Sequence, residues 1–370
     1  MDTTLGAALC RILGKLPALA VRQPPGRVTA ASPVRRVLLI RPGGLGDMLM
    51  LIPTLRILRE NFPHADIDVI CEARNVDALN LAGGVANRVL TYDDHPLSCL
   101  RALRHTDYDI AIDTEQFHHF SAIFAVLSGA PVRVGFKINP LRNPLYTHLA
   151  SYDPDGIEGE QFLALLHPLA ISTKPFLLSG ILRDASPDQI ATATHPPVQI
   201  AKPYMVIHPE ATTPYKHWPA ERFARVGATL AEEQGLLAVI VGGTADPASC
   251  EATCQDLLRR GTQAKAVSGL TDLKSTAGVL RDAALFIGTD SGISHLAVAL
   301  GVPTVVLFGP SDDRKWGTQT AGRHAVVRKD LPCAPCFIFG YHKPCRALAC
   351  MQGVTVDEVL QACRTVLLHS

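Results

Sequence analysis

The eight residues Gly288-Thr-Asp-Ser-Gly-Ile-Ser-His295 combine hydroxyls, a carboxylate, two glycines and an imidazole. An apolar run at 284–288 precedes them, helix-like spacing follows, and a second apolar run occupies 304–309. The expected order is strand, polar turn, helix, buried strand, which presents a helix N-terminus at the carboxyl edge of a parallel sheet. Free backbone N–H groups and the positive end of the helix dipole favour an anion there, phosphate being the usual one. Asp290, Ser291, Gly292 and His295 are therefore candidate residues for a phosphorylated ligand.

Other segments carry matching chemistry. His208-Pro-Glu-Ala-Thr-Thr-Pro-Tyr-Lys-His-Trp-Pro219 follows an apolar run and leads into a helix. Its Thr212, Thr213 and Lys216 offer hydroxyl donors and a mobile cation suited to a diphosphate. Thr244 or Asp246, after the glycines that close the run at 236–241, can hydrogen-bond a ribose or cap the next helix. Leu270, in Ser268-Gly-Leu-Thr-Asp272, is a candidate apolar contact for a purine. Nearer the start, Gly43, Gly44 and Gly46 follow the apolar strand 36–41 and precede Asp47 in a first helical turn. A carboxylate there suits the helix dipole; it can serve as a cap, or accept a proton from a substrate hydroxyl, or both. Read as G-x-G-x-x-G from Gly44, the third glycine is replaced by Leu49, and no Gly-Lys-Ser/Thr follows, which excludes a P-loop.

Positioning these loops requires parallel sheets. Short apolar runs at 36–41, 67–71, 88–91, 109–113 and 132–135 alternate with helical segments, as in a doubly wound α/β sheet. A second series runs through 204–208, 236–241, 264–267, 284–288 and 304–309. Between them Pro187, Pro196, Pro197 and Pro203 mark a linker near 185–202. The expected plan is a basic leader over 1–33, Rossmann-like domains over 34–190 and 200–352, and a closing helix in 353–370 that is a candidate to pack back across a cleft. Ligands in open α/β sheets sit beyond the carboxyl ends of the strands, so two such halves facing each other would hold a donor and an acceptor.

The chain of 370 residues is long enough for two such cores, since single cores stop growing near roughly 250–300 residues. Lys plus Arg number 35 and Asp plus Glu 34, so no global basicity points to nucleic acid. Residues 1–46 differ, with seven basic side chains against the single acidic Asp2. Leu5, Leu9, Ile12, Leu13 and Leu16 recur at helix spacing there, so the leader either packs on its own domain or rests on anionic lipid. Arg11 and Lys15 interrupt any signal-peptide core. The cysteines are mostly scattered, which suits a reducing compartment. Cys333, Cys336, Cys345 and Cys350 form a late cluster whose CxxC pair fits a structural zinc or iron site, while the spacing of the second pair does not match the usual one.

Taken in order, Gly46-Asp47 with Pro53, His208–Pro219, and Gly288–His295 with Pro303 resemble glycosyltransferase family 9, the ADP-heptose:lipopolysaccharide heptosyltransferases. The resemblance runs from about residue 35 to the C-terminal helix. It implies a GT-B fold, an acceptor site on the N-terminal half and a nucleotide-sugar site on the C-terminal half. It implies Asp47 as general base, Thr212, Thr213 and Lys216 on the donor diphosphate, and Asp290, Ser291, Gly292 and His295 on phosphate and sugar. It further implies inverting transfer from an ADP-heptose-like donor to a lipid-linked glycan such as lipopolysaccharide core. That work would proceed without a required metal, in the bacterial cytoplasm or at the inner membrane's cytoplasmic face. Some members carry a histidine three residues after the base, where this chain has Met50, and others modify proteins. An epimerase-like sugar-nucleotide enzyme and a non-catalytic nucleotide-binding protein are the competing readings. An NAD-linked oxidoreductase is disfavoured by Leu49.

Overall fold

A computed structural model describes residues 2–15, 33–186, 188–190, 200–211, 213–243, 247–317, 323–338, 341–342 and 345–369. The chain divides into two compact units, Met1–Phe176 and Leu177–Ser370. The expected linker lay further along. The segment ahead of it, from Leu177, belongs to the second unit, where Gly180 and Leu182 donate their N–H groups to the carbonyls of Val298 and Ala299 at 3.0 and 2.7 Å.

The first unit opens with α1 (Ala7–Leu13), followed by β1 (Arg36–Arg41), α2 (Leu45–Asn61), β2 (Asp66–Cys71), α3 (Val76–Ala82), β3 (Arg88–Thr91), α4 (Pro96–His105), β4 (Ile110–Asp113), α5 (His119–Leu127), β5 (Val132–Phe136), β6 (His148–Ala150) and α6 (Glu158–Ala164). The six strands form a parallel sheet in the order β3-β2-β1-β4-β5-β6. Val37, Leu38, Leu39 and Ile40 are fully buried, as a central strand covered on both faces requires. Each such side chain contributes about 1.5–3 kcal/mol on leaving water. The leader is more than a tail: α1 packs on α5, with Cys10 buried in the same core as Leu38, Ala122 and Tyr146 while Leu5 and Ile12 stay exposed.

The second unit repeats the plan with β7 (Tyr204–His208), α7 (Ala220–Gln234), β8 (Leu237–Ile240), α8 (Pro247–Arg259), β9 (Ala264–Ala266), α9 (Leu273–Arg281), β10 (Leu285–Thr289), α10 (Gly292–Ala299), β11 (Thr304–Phe308), α11 (Asp313–Trp316) and β12 (His324–Arg328). Its parallel order is β12-β11-β10-β7-β8-β9. A small antiparallel pair, β13 (Phe337–Ile338) with β14 (Tyr341–His342), precedes α12 (Ala349–Gln352) and α13 (Val356–Leu368). The closing helix α13 packs on this unit's own α7, β11 and β12, through Val359, Leu360, Cys363 and Val366. No helix among the described residues is long and apolar enough to cross a membrane.

Each sheet has one more strand than the apolar runs indicated. The extra strands, β6 and β12, are edge elements of three and five residues, and an edge strand needs less continuous apolar sequence than a central one.

Two buried polar features carry stability consequences. In the first unit, Arg142 donates to the Asp113 carboxylate at 2.8 Å and to the Glu115 carbonyl at 2.7 Å, while the Tyr146 hydroxyl donates to the same carboxylate oxygen at 2.6 Å. Replacing Arg142 by Met leaves Asp113 buried without its cation, and the first unit should lose about 3–5 kcal/mol. Urea unfolding followed by a probe in that unit checks this, and a loss below about 1 kcal/mol would contradict it.

In the second unit, burial lowers the pKa of His208 and of His324 from 6.5 to about 4. The unfolded chain therefore takes up protons that the folded unit refuses between those values. The contribution of neutral His208 and His324 is complete above pH 6.5 and is lost as pH falls toward 4. Melting temperature should drop across this window, and His208→Asn should flatten the decline; an unchanged slope would refute the assignment.

Candidate functional site

In a doubly wound sheet the loops diverge where the strand order reverses, and the crevice they leave is the natural ligand position. That reversal falls between β1 and β4 in the first unit and between β7 and β10 in the second. At both, a carboxylate meets a cation.

In the first unit, Ile40 pairs with Asp113, so Arg41 and Thr114 emerge together at the sheet edge. The chain turns through Gly43, whose φ of +123° excludes most side chains. A Cβ at Gly43 would also lie 3.1 Å from an Arg41 nitrogen and 3.0 Å from Asp47 Oδ2. Gly44 is the N-cap of α2, Gly46 lies in its first turn, and Asp47 stands at N3. Asp47 Oδ2 accepts the Gly44 N–H at 2.8 Å, so the capping role holds, and Oδ1 accepts from Arg41 at 2.7 Å. The Asp47 side chain keeps 21% of its surface exposed, against 3% for Arg41. Asn75 steadies the turn by donating its amide to the Gly43 carbonyl at 2.8 Å. Met50, three residues after Asp47, is buried.

In the second unit, Gly288 pairs with His208, which sets the loop after β7 beside the turn after β10. Lys216 donates to Asp290 Oδ2 at 2.6 Å, and its ammonium lies 4.8 Å from the centre of the Phe337 ring. His295 Nε2 is 3.9 Å from Asp290 Oδ1. Burial by itself would raise the pKa of Asp290; the charges of Lys216 and His295, with the hydrogen bond from Lys216, outweigh it and hold the group below the ordinary carboxylate value. Ser291 caps α10 and Gly292 is its first residue, so the expected helix N-terminus stands at this edge. Thr213 caps the short turn Pro214–Lys216, its hydroxyl accepting the Tyr215 N–H at 3.1 Å. Leu270 follows β9 and is exposed, as an apolar contact for a ligand must be. Thr212, Thr244 and Asp246 lie outside the described residues.

Four further residues belong to these edges and escaped the sequence reading. Arg41 and Thr114 are joined by a 2.9 Å bond from the guanidinium to the Thr114 carbonyl. Glu210, nearly buried, accepts the Gly243 N–H at 2.8 Å while the Thr289 hydroxyl donates to its backbone carbonyl at 3.0 Å, tying three loops together. Ser311, just beyond β11, is buried. The one signal available for Arg41 was a charged residue closing an otherwise apolar strand. In the cysteine cluster, Cys350 is buried, with Cys336 and Cys345 near enough to raise its pKa behind the larger effect of burial, whereas Cys333 is exposed. Among the described residues no group of three or more His, Cys, Asp or Glu is placed to hold a metal ion.

A family model for glycosyltransferase family 9 (heptosyltransferase) matches residues 97–346. Lipopolysaccharide heptosyltransferase 3 of Escherichia coli K12 is 27% identical over 303 residues, covering 74% of this chain and 83% of its own. Lipopolysaccharide heptosyltransferase 1 of Pseudomonas aeruginosa is 27% identical over 315 residues, covering 81% and 86%. Among solved structures, E. coli ADP-heptose lipopolysaccharide heptosyltransferase II superposes with a TM-score of 0.67 at 21% identity, over 90% of this chain and 98% of that one. The architecture is thus the GT-B type, with two Rossmann-like domains. With more than half its length matched by the family model, the chain belongs to glycosyltransferase family 9 and is a glycosyltransferase.

Proposed function

We propose that the protein moves a heptosyl group from an ADP-linked sugar to a hydroxyl of a lipopolysaccharide core, with inversion at the anomeric carbon. The observation that carries this reading is the pairing of Lys216 with Asp290 beside the capped N-terminus of α10, at the strand-order reversal of the second unit. A leaving diphosphate gains negative charge as its bond to the sugar breaks. Preset cations and backbone N–H groups stabilise that charge without reorganising. Lys216 is the mobile member: released from Asp290, its ammonium can follow the diphosphate, while Ser291 and Gly292 present the helix end. Thr212 and Thr213 add donors, Asp290 and His295 meet phosphate and sugar, and Leu270 with Thr244 or Asp246 receives the nucleoside. With Lys216 and the amides meeting the charge, the reaction needs no divalent metal.

On the acceptor side Asp47 is the general base, with Gly43, Gly44 and Gly46 leaving the backbone open beside it. Its carboxylate takes the hydroxyl proton as the acceptor oxygen bonds to the anomeric carbon. The bond from that carbon to the phosphate oxygen breaks on the opposite face, and its electron pair leaves with ADP. The described cysteines are all free, which fits work in the reducing cytoplasm, at the inner face of the membrane that carries the acceptor.

Asp47→Asn should lower kcat about 10²- to 10⁴-fold while leaving the ADP-heptose affinity within about twofold. Lys216→Met should instead weaken donor binding and lower kcat together. Product analysis with ADP-heptose and a truncated lipopolysaccharide core tests both. Consumption of the donor without an acceptor would favour an epimerase-like enzyme, and labelling of a polypeptide but not the core would favour a protein-modifying transferase.

A further inference from the structure

We infer that Arg41 is a positioning residue for the transfer, clamping the Asp47 carboxylate in the orientation from which it takes the acceptor proton. The inference rests on the reading of Asp47 as the base.

Arg41 closes β1, so its backbone is fixed by pairing with β2, where Arg41 meets Cys71. One guanidinium nitrogen donates to the Thr114 carbonyl at 2.9 Å and another to Asp47 Oδ1 at 2.7 Å. The Phe162 ring lies 4.8 Å from the guanidinium carbon and holds the plane from one side. The side chain therefore spans from the β4 edge to the base with little freedom left. The other Asp47 oxygen is already occupied by the Gly44 N–H, so both carboxylate oxygens are fixed. A carboxylate has about four lone-pair positions, and two of them remain for a substrate hydroxyl.

The cation is buried and the carboxylate partly exposed, so Arg41 holds the carboxylate from behind and leaves its outer side open. The carboxylates of Glu115 and Glu158 lie within electrostatic reach of Arg41, which places one guanidinium among three acidic groups. Without it, Asp47 keeps only the bond from the Gly44 N–H, and Oδ1 loses its partner. A lysine supplies the charge but not a planar fork able to reach Thr114 and Asp47 at once.

The test measures steady-state transfer from ADP-heptose to a truncated lipopolysaccharide core by the full chain, with melting curves to confirm folding. Arg41→Met should lower kcat about 10- to 100-fold and leave the donor KM within about twofold, as expected for a displaced reactive group. Arg41→Lys should recover only part of the loss. In an Asp47→Asn background, Arg41→Met should cost less than about twofold more, because the carboxylate it positions is already gone. A kcat for Arg41→Met within twofold of the parent, or a full multiplicative loss in the double variant, would overturn the inference. If Arg41→Met does not fold, Arg41→Lys decides: a parental kcat overturns the inference, and a fall in kcat that vanishes in the Asp47→Asn background upholds it. If Asp47→Asn is itself as fast as the parent, it is the assignment of the base that fails.

Discussion

A carboxylate held at the edge of an apolar sheet needs a cation beside it, and both units of this protein meet that need where their strand order reverses. Arg41 with Asp47 and Lys216 with Asp290 are separated by 2.7 and 2.6 Å. Partial burial strengthens each attraction, because the surrounding dielectric is lower than that of water, and it also makes either partner costly to leave alone. The pairs therefore fix the loops that carry them. Glycines at 43 and 44 allow the first loop to approach its own carboxylate, and the cap of α10 aligns the second.

The two pairs are built differently, and the difference matches the tasks assigned to them. Arg41 is a rigid planar group with its backbone in a strand, bonded on two sides and stacked on Phe162. Such a group holds a carboxylate still. Lys216 ends a short turn, and its ammonium on a flexible stem touches Asp290 and faces the Phe337 ring. An ammonium of that kind can exchange one anion for another as a ligand arrives, whereas a guanidinium bonded to two separate acceptors, Thr114 and Asp47, is less free to move. Asp290, kept ionised by its neighbours, gives Lys216 a resting partner without a second fixed contact.

Much of this was legible in the residues themselves. Asp47, Lys216, Asp290, Ser291 and His295 lie in short segments where turn residues, a cap and a reactive group fall within a few positions, and local spacing suffices to mark them. Arg41, Thr114 and Glu210 were not legible, because their roles arise from contacts across the sheet. The bond from Arg41 to Thr114 joins residues 73 positions apart, and that from Thr289 to Glu210 joins residues 79 apart. A charged residue at the end of an apolar strand has the same local appearance whether it meets solvent or a carboxylate.

The amino-acid sequence alone determined the alternation of strand and helix, the doubling of the pattern, and the presence of a polar, capped turn before α10. Those follow from periodicity, glycine placement and capping, which act over a few residues. The fold decided which strands are neighbours, and hence that β1 lies beside β4 and β7 beside β10. It also decided that 177–185 joins the second unit, that α1 docks on α5, and that the guanidinium of Arg41 stands behind Asp47. These depend on hydrogen bonds and burial between segments far apart in the chain, whose energy exists only once both segments are in place.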